Sequence, residues 1–336
     1  MRAILVKDGK GPIENLYIGE RPDPEVPEDY VLVKVKAFGL NGMDLLERRG
    51  QYPMPPGAPD IMGVEFSGIV SAVGEGVLKW KIGDEVLGLA LGGAYAEYIV
   101  INQAYLFTKP AHLSWVDAAG ILETFLTAYQ ALIKLAELQA GQNVLIHSTA
   151  SGVGLAAIQL ARVKGAATVI GTASTKEKLD FVRSIPNGAT HVINYKEQNF
   201  AEEVKKITGG HGVDVIIDFV GQSHWGGNID ALAYDGQMVM LAFLSGNIVK
   251  EADLSKIIFK RLRIQGSTLR ARDIAYKSSL MTDFGKEFLG DITGQNDEGS
   301  IKVYVQKVYS WRNIQAGHRD LEAGKGIGKI IAEIDD

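Results

Sequence analysis

The sequence predicts an α/β protein in which a doubly wound parallel sheet is inserted into a β-rich domain. Strands and helices alternate between residues 143 and 243, which favours a parallel sheet with helices on both faces. The segment before this region is rich in short strands, and the segment from residue 301 onward returns to that pattern. The chain has 336 residues, which suits two domains. We predict a first domain at residues 1–121, completed by 271–336, and a second domain at 122–270.

The first domain is predicted to be a small barrel of short strands. Runs rich in β-branched residues at 3–6 and 30–36 indicate strands, and a proline-rich segment at 21–27 separates them. Alternating apolar and polar residues at 66–74 and 95–100 are typical of half-buried strands, and the glycines between them suit tight turns. The carboxy-terminal part is predicted to contain strands at 301–305 and 329–334, a helix at 314–323 and a polar loop at 295–300.

The second domain is predicted to begin with a helix at residues 118–135, which are rich in alanine and leucine. Its other elements are predicted as strands at 143–148, 167–172, 191–194, 213–219 and 237–243, with helices at 154–164, 176–184 and 200–207. The last two strands are apolar almost throughout, as is typical of strands buried on both faces of a parallel sheet.

The composition excludes several classes of function. The 35 basic and 40 acidic residues give a net charge of −5, without the basic excess of a nucleic-acid-binding domain. No apolar stretch is long enough to cross a bilayer, and the first apolar run is too short for a signal peptide. The absence of cysteine rules out disulfides, thiolate nucleophiles and thiolate-bound metals. These features predict a cytoplasmic protein with neither nucleic acid nor membrane as a partner.

A glycine-rich turn directly after the strand at 143–148 indicates a dinucleotide site. Residues 152–157 fit the pattern Gly-x-Gly-x-x-Ala, with a predicted strand before it and a helix after it. Gly152 permits the tight turn, Gly154 lets the backbone approach a pyrophosphate, and the helix amino terminus supplies N–H groups and a positive dipole. We predict that the cofactor contacts Ser151, Gly152, Val153 and Gly154. The structural alternative is a glycine turn that binds nothing.

The end of the next strand favours NADP(H) over NAD(H). A cofactor with a free ribose 2′-hydroxyl meets an Asp or Glu about twenty residues after the glycine turn. No carboxylate closes the strand here, whereas Ser174, Lys176 and Lys178 offer donors and positive charge to a 2′-phosphate. The alternative is that the lysines form a solvated helix face.

Few other side chains have a sequence context that indicates catalysis. The six histidines are scattered without a metal-binding spacing, and no Gly-x-Ser-x-Gly motif supplies a nucleophile. Asn41 and Tyr52 lie in glycine-rich polar segments and have two interpretations. They either hydrogen-bond a cofactor ribose or a substrate oxygen, or serve as a turn residue and a packing aromatic; the residues alone favour the structural interpretation.

Several motifs are similar to those of the medium-chain dehydrogenase/reductases, and the resemblance runs the whole length of the chain. The motifs are residues 63–70 with Gly74, the turn at 81–86, the segment at 150–154 and the segment at 324–330. Within that superfamily the chain resembles the zinc-free quinone oxidoreductase branch, through residues 41–44, 49–53 and 192–195. Its segments 145–147 and 259–261 most resemble the tumour-suppressor-inducible, stress-linked quinone oxidoreductases.

The resemblance implies a GroES-like barrel domain and a Rossmann domain, NADPH as cofactor, and a homodimer joined through the last Rossmann strand. Zinc-dependent members carry Cys and His ligands where this chain has Asn41 and Val64, so the resemblance implies that the catalytic metal is lost. It also implies roles for residues at both ends of the cofactor. Ser174, Lys178 and Tyr195 resemble the 2′-phosphate site, Asn41, Tyr52 and Thr127 the nicotinamide and substrate end, and Phe243 and Leu244 the cofactor lining.

The predicted activity is hydride transfer from NADPH to an electrophilic conjugated carbonyl, above all a quinone. Zinc polarises an ordinary carbonyl as a Lewis acid, whereas a quinone or enone is activated by its own conjugation. Tyr52 or Asn41 then needs only to orient the substrate and donate a hydrogen bond, and the proton comes from Tyr52 or from water. One alternative is reduction of an enone or enoyl thioester, with Arg270 and Arg272 either binding the phosphates of coenzyme A or serving as dipole-neutralising or solvent-exposed residues. The other is an NADPH-binding protein of low turnover.

Overall fold

The computed structural model describes residues 1–294 and 300–335. The chain divides into two compact units, which we call the first unit, Met1–Leu126 with Arg270–Asp336, and the second unit, Thr127–Leu269. The polar loop predicted at residues 295–300 lies outside the described residues except for Ser300. None of the helices within the described ranges is both long and apolar enough to cross a membrane.

The first unit is built on a seven-stranded sheet in the order β16-β17-β3-β4-β5-β7, with β6 also paired to β3. Its strands are β1 Arg2–Val6, β2 Leu16–Glu20, β3 Tyr30–Leu40, β4 Glu65–Val73, β5 Glu85–Leu89, β6 Tyr98–Asn102, β7 Leu106–Thr108, β14 Ile292–Thr293, β15 Ile301–Lys302, β16 Val305–Ser310 and β17 Lys329–Glu333. Its helices are α1 Gly42–Arg48, α2 Trp115–Ala119, α3 Leu122–Tyr129, α9 Ile274–Glu287 and α10 Ile314–Ala323. Helix α3 contains the division between the units.

Strand β3 organises the first unit because it pairs antiparallel with β4, β6 and β17. Its alternation buries Val31, Val33 and Val35 on one face, and its last residues are buried on both faces. Helix α1 follows at once. Asn41 is its N-cap residue, and the Asp44 carboxylate accepts from the Asn41 N–H at 2.8 Å. Both side chains are buried.

The second unit is a six-stranded parallel sheet in the order β10-β9-β8-β11-β12-β13. Its strands are β8 Asn143–Ile146, β9 Thr168–Ala173, β10 His191–Asn194, β11 Val213–Asp218, β12 Leu232–Met240 and β13 Arg263–Gly266. Its helices are α4 Gly152–Val163, α5 Lys176–Ser184, α6 Phe200–Ile207, α7 Trp225–Ala231 and α8 Ser255–Phe259. The strand order reverses between β8 and β11, where α/β sheets bind ligands at their carboxyl edge.

The predicted single helix at 118–135 is wrong in extent. The structure has two short helices, α2 and α3, and then a π-helical turn at Gln130–Leu135. Ser114 caps α2 by accepting a hydrogen bond from the Asp117 N–H, and α2 ends at Gly120, a residue with low helix propensity. The alanine and leucine content therefore predicts the helical state but misses the break.

Candidate functional site

The predicted cofactor residues of the second unit gather at the carboxyl edge of its sheet. Ser151 to Gly154 follow β8, Ser174 follows β9, Tyr195 follows β10, and Phe243 and Leu244 lie just after β12. Because the strands are parallel, all these segments meet at one edge. Thr127 is half-buried in α3.

The turn after β8 is tight and leaves no room for a side chain at Gly154. Ser148 adopts a left-handed conformation with φ of 49°, and Ser151 caps α4 by accepting from the Gly154 N–H at 3.1 Å. A Cβ at Gly154 would stand 2.5 Å from the Ser148 carbonyl oxygen and 2.7 Å from the Thr149 Cα. Only glycine fits there, and the first turn of α4 keeps the N–H groups that bind anions.

A pair of lysines lies beside the ends of β9 and β10. Asn194 pairs with Ala173, and the Tyr195 N–H donates to the Ala173 carbonyl at 3.3 Å, so Ser174 and Tyr195 follow directly from paired residues. Burial lowers the pKa of Lys178, and the nearby Lys196 lowers it further, although Glu177 opposes this. Two ammonium groups that repel each other suit a dianionic phosphate between them. Sequence reasoning missed Lys196, which is adjacent to Tyr195 in the chain.

The Tyr195 ring packs against buried aromatic side chains. The His224 ring contacts the Tyr195 ring edge-on at 5.4 Å and stacks on Phe200 at 5.0 Å. His147 lies behind them, hydrogen-bonded to Thr172 Oγ1 and Asn228 Oδ1. Burial lowers the pKa of both histidines to about 4, so they stay neutral at pH 7 and serve as a rigid support.

Phe243 and Leu244 are both exposed, at 55% and 75%. The Leu244 N–H donates to the Phe219 carbonyl at 3.0 Å, which holds the loop after β12 against the end of β11. Exposed apolar side chains at this edge suit the lining of a flat ring system.

The first unit contains a buried ion pair around Asn41. The Lys329 ammonium lies 2.5 Å from Glu65 Oε1 and 2.5 Å from Asn41 Oδ1, with side-chain exposures of 5% and 1% for the ion pair. Asn41 Nδ2 also donates to Glu65 Oε1 at 3.0 Å, and the Glu123 N–H donates to Glu65 Oε2 at 2.9 Å. Both functional ends of the Asn41 carboxamide are thus engaged inside the unit.

Two more buried carboxyl groups surround this ion pair. Asp44 accepts from the Tyr95 hydroxyl at 2.7 Å and from the Asn41 N–H at 2.8 Å. Burial raises the pKa of Asp44 to about 7. Burial, and then the Glu65 charge, raise the pKa of Glu123 to about 8. Both groups therefore hold protons well above the usual carboxyl range.

We expect Asp44→Asn to change the pH dependence of stability. The native Asp44 keeps its proton up to about pH 7, whereas the unfolded group loses it near its ordinary pKa of 3.8. Between these values the unfolded state binds fewer protons, so wild-type stability falls as pH rises. Asparagine does not titrate and still accepts the Tyr95 hydrogen bond. Urea unfolding should therefore show the stability of the variant, relative to wild type, rising by up to about 1.4 kcal/mol per pH unit between pH 5 and 7. A constant difference would contradict the shifted pKa.

Tyr52 is half-buried beside buried charges of the same unit. The Arg270 guanidinium carbon lies 5.2 Å from the Tyr52 ring centroid. Burial raises the pKa of the Tyr52 phenol, and Glu123 adds to this effect, whereas Arg270 opposes it. The phenol is therefore a proton-bearing group at neutral pH that can donate a hydrogen bond.

Comparison with known proteins assigns the family. The alcohol dehydrogenase GroES-like domain model matches residues 27–111, and the zinc-binding dehydrogenase model matches residues 152–283. The quinone oxidoreductase of Homo sapiens is 31% identical over 98% of this chain and 97% of its own length. The chain belongs to the medium-chain dehydrogenase/reductase superfamily. The two units of this dehydrogenase/reductase hold a GroES-like domain and a Rossmann-type parallel sheet, as predicted.

Other proteins resemble this dehydrogenase/reductase over most of their length. The solved structure of Escherichia coli quinone oxidoreductase complexed with NADPH has a TM-score of 0.85 and 32% identity, covering 99% of both chains. CurK enoyl reductase has a TM-score of 0.85 and 29% identity, again covering 99% of both chains. The synaptic vesicle membrane protein VAT-1 homolog of Homo sapiens is 30% identical over 97% of this chain and 85% of its own length. These relatives establish an oxidoreductase of the superfamily.

The residues at the superfamily's metal position do not suit zinc. Val64 is fully buried and apolar, and the Asn41 carboxamide oxygen accepts from the Lys329 ammonium. The Lys329 ammonium has no lone pair with which to bind a metal ion, and zinc prefers thiolate, imidazole or carboxylate ligands. Over residues 1–294 and 300–335, no group of three or more His, Cys, Asp or Glu side chains is arranged to hold a metal. No catalytic step is assigned to a metal.

Proposed function

We propose that this dehydrogenase/reductase is an NADPH-dependent reductase of quinones or related conjugated carbonyls that works without zinc. The observation that carries the proposal is the Asn41–Glu65–Lys329 cluster at the metal position, because a saturated carbonyl needs a Lewis acid there. A quinone spreads the incoming negative charge over its own conjugated system. The quinone oxidoreductase relatives at 31% identity support the same acceptor class.

The cofactor residues have distinct proposed roles. When bound, NADPH supplies a hydride. The turn of Ser151, Gly152, Val153 and Gly154 binds the pyrophosphate, and Phe243 and Leu244 line the cofactor with Thr127. Ser174, Lys178 and Tyr195 bind the 2′-phosphate, and we add Lys196 to this group because it repels Lys178. The NADPH-complexed Escherichia coli relative supports this cofactor.

At the acceptor end, Tyr52 and Asn41 have different proposed roles. Tyr52 orients the acceptor and donates a proton or hydrogen bond to its oxygen. Asn41, the second residue proposed for the nicotinamide and substrate end, donates to Glu65 and accepts from Lys329, so it leaves the substrate hydrogen bond to Tyr52. A cytoplasmic location remains a prediction from the composition, and a homodimer remains a prediction from the family resemblance.

The decisive experiment is cofactor oxidation followed at 340 nm against a panel of acceptors. We expect turnover with ortho- and para-quinones, preference for NADPH over NADH, no turnover with saturated aldehydes, and no loss of activity with a chelator. Tyr52→Phe should lower kcat by at least about tenfold, because general acid groups contribute on this scale or above. Tyr17 is exposed, so Tyr17→Phe is the matched control and should leave kcat unchanged. Wild-type kcat in Tyr52→Phe would remove the acid role, and inactivity with every quinone would refute the proposed function.

A second candidate is reduction of an α,β-unsaturated ketone or enoyl thioester. The observation that favours it is the match to CurK enoyl reductase at 29% identity over the full chain. A higher kcat/KM with enoyl thioesters than with quinones in the same panel would establish it. Tight NADPH binding without turnover of any acceptor would indicate a binding protein instead.

A further inference from the structure

Arg270 is a buried guanidinium that the proposed function does not yet use. Its side chain is 1% exposed, its Nη1 donates to Glu47 Oε2 at 2.6 Å, and its Nε donates to the Leu91 carbonyl at 2.6 Å. Its Nη2 is buried and has no hydrogen-bond partner in the described part of the chain. A buried guanidinium N–H without an acceptor is costly, so the placement of Arg270 calls for a compensating role.

The neighbour that explains this placement is Tyr52. The guanidinium carbon lies 5.2 Å from the Tyr52 ring centroid, within the range of a cation–π contact. Its hydrogen bonds to Glu47 and to the Leu91 carbonyl hold the guanidinium in place beside the Tyr52 ring. The Tyr52 side chain itself is half-buried, whereas Arg270 is enclosed.

The groups around Tyr52 shift the pKa of its phenol in opposite directions. Burial raises the pKa of the phenol most, and Glu123, Glu47 and Asp44 raise it as well. Arg270 is the one positive group that counters them among the main influences on this phenol. Asp44 and Glu123 hold their protons up to about pH 7 and pH 8, so among these groups Arg270 is the one whose charge favours the phenolate.

We propose that Arg270 is a positioning residue that acts through Tyr52: it fixes the ring and stabilises the phenolate that remains after proton donation. This inference rests on the proposed function. A quinone gains a hydride, with its electron pair, from NADPH and one proton from the Tyr52 hydroxyl, giving a hydroquinone and NADP⁺. The Tyr52 phenolate then takes a proton from water. The cation beside the ring lowers the energy of the charge that develops on Tyr52 during the first proton transfer.

A double-mutant cycle tests the inference. Arg270→Gln removes the charge but retains an amide that can donate to Glu47. It should lower quinone kcat about tenfold with KM changed less than about twofold, because the lost interaction belongs to the transition state. In the Tyr52→Phe background the same substitution should lower kcat less than about twofold, because the group through which Arg270 acts is gone. Arg270→Lys, which keeps the charge, should restore part of the rate.

The outcomes separate this inference from the proposed function. If Arg270→Gln lowers kcat by the same factor with and without the Tyr52 hydroxyl, Arg270 acts independently and the inference is wrong. If Arg270→Gln does not fold, Arg270→Lys replaces it in the double-mutant cycle. Loss of the planar guanidinium should then lower kcat about threefold, and not at all in the Tyr52→Phe background. An equal loss in both backgrounds would again overturn it. Absence of wild-type quinone turnover refutes the proposed function instead, and NADPH binding confirms that each variant is folded.

Discussion

Replacing Lys329 by methionine is expected to lower the free energy of unfolding by about 3–5 kcal/mol. The Lys329 ammonium contacts both Glu65 and Asn41 at 2.5 Å, and the ion pair is almost fully buried. Methionine fills a similar volume but leaves the Glu65 carboxylate without its cation in the interior. Removal of one partner from a buried pair is far more damaging than replacement of both.

Urea unfolding of matched variants measures this effect. Lys307→Met is the control, because the Lys307–Asp320 pair is exposed, at 52% and 40%, and should contribute at most about 1 kcal/mol. Adding Glu65→Gln to Lys329→Met should recover part of the loss, since the unpaired charge is then removed. A loss no larger than that of Lys307→Met would show that the Glu65 carboxylate does not depend on Lys329.

Lys178→Ala is expected to weaken NADPH binding by about 10- to 150-fold while leaving NADH binding unchanged. A hydrogen bond to a charged group contributes about 1.5–3 kcal/mol, and only the 2′-phosphate distinguishes the two cofactors. Lys196→Ala should act in the same direction, because its ammonium lies close enough to lower the pKa of Lys178. Titration calorimetry of the wild type and both variants with each cofactor gives the dissociation constants.

Lys176→Ala is the matched control for this experiment. Lys176 belongs to the same helix as Lys178, but it is exposed and its ammonium pairs with Asp180 at 2.5 Å. The sequence pattern makes both lysines candidates for the 2′-phosphate, whereas in the structure the Lys176 ammonium forms an ion pair with Asp180. If Lys178→Ala weakened the binding of NADPH and NADH equally, the assignment of Lys178 to the 2′-phosphate would be wrong. A large loss of NADPH binding in Lys176→Ala would assign the 2′-phosphate to Lys176 instead.

Local patterns predicted most of the fold, including the glycine turn at which we propose that the cofactor binds. The strand–helix alternation and the apolar strands predicted the parallel sheet, and the glycine spacing at 152–157 predicted the turn before α4. These features depend on neighbours in the chain, so their physics is visible in a short window. The break at Gly120 was missed because helix propensity is weak against capping and packing.

The acceptor end could not be predicted in the same way. The Asn41–Lys329 contact joins residues 288 positions apart, and the Arg270–Glu47 contact joins residues 223 positions apart. Nothing in either local segment specifies the partner, and a lysine at the start of an apolar strand is ordinarily solvated. The sequence identifies Asn41 and Tyr52 as candidates, whereas the contacts of Glu65 and Lys329 with Asn41 appear only when β4 and β17 fold against β3.

The first unit is assembled from two pieces of chain separated by the whole second unit, and this has a consequence during synthesis. The second unit is continuous, so it can fold as soon as the ribosome has released it. The buried acidic groups around Glu65 must wait for β17, which is synthesised only after the whole second unit. Until then Glu65 lacks its counter-ion, and a chain interrupted before residue 329 should expose this half-built interior to chaperones and proteases.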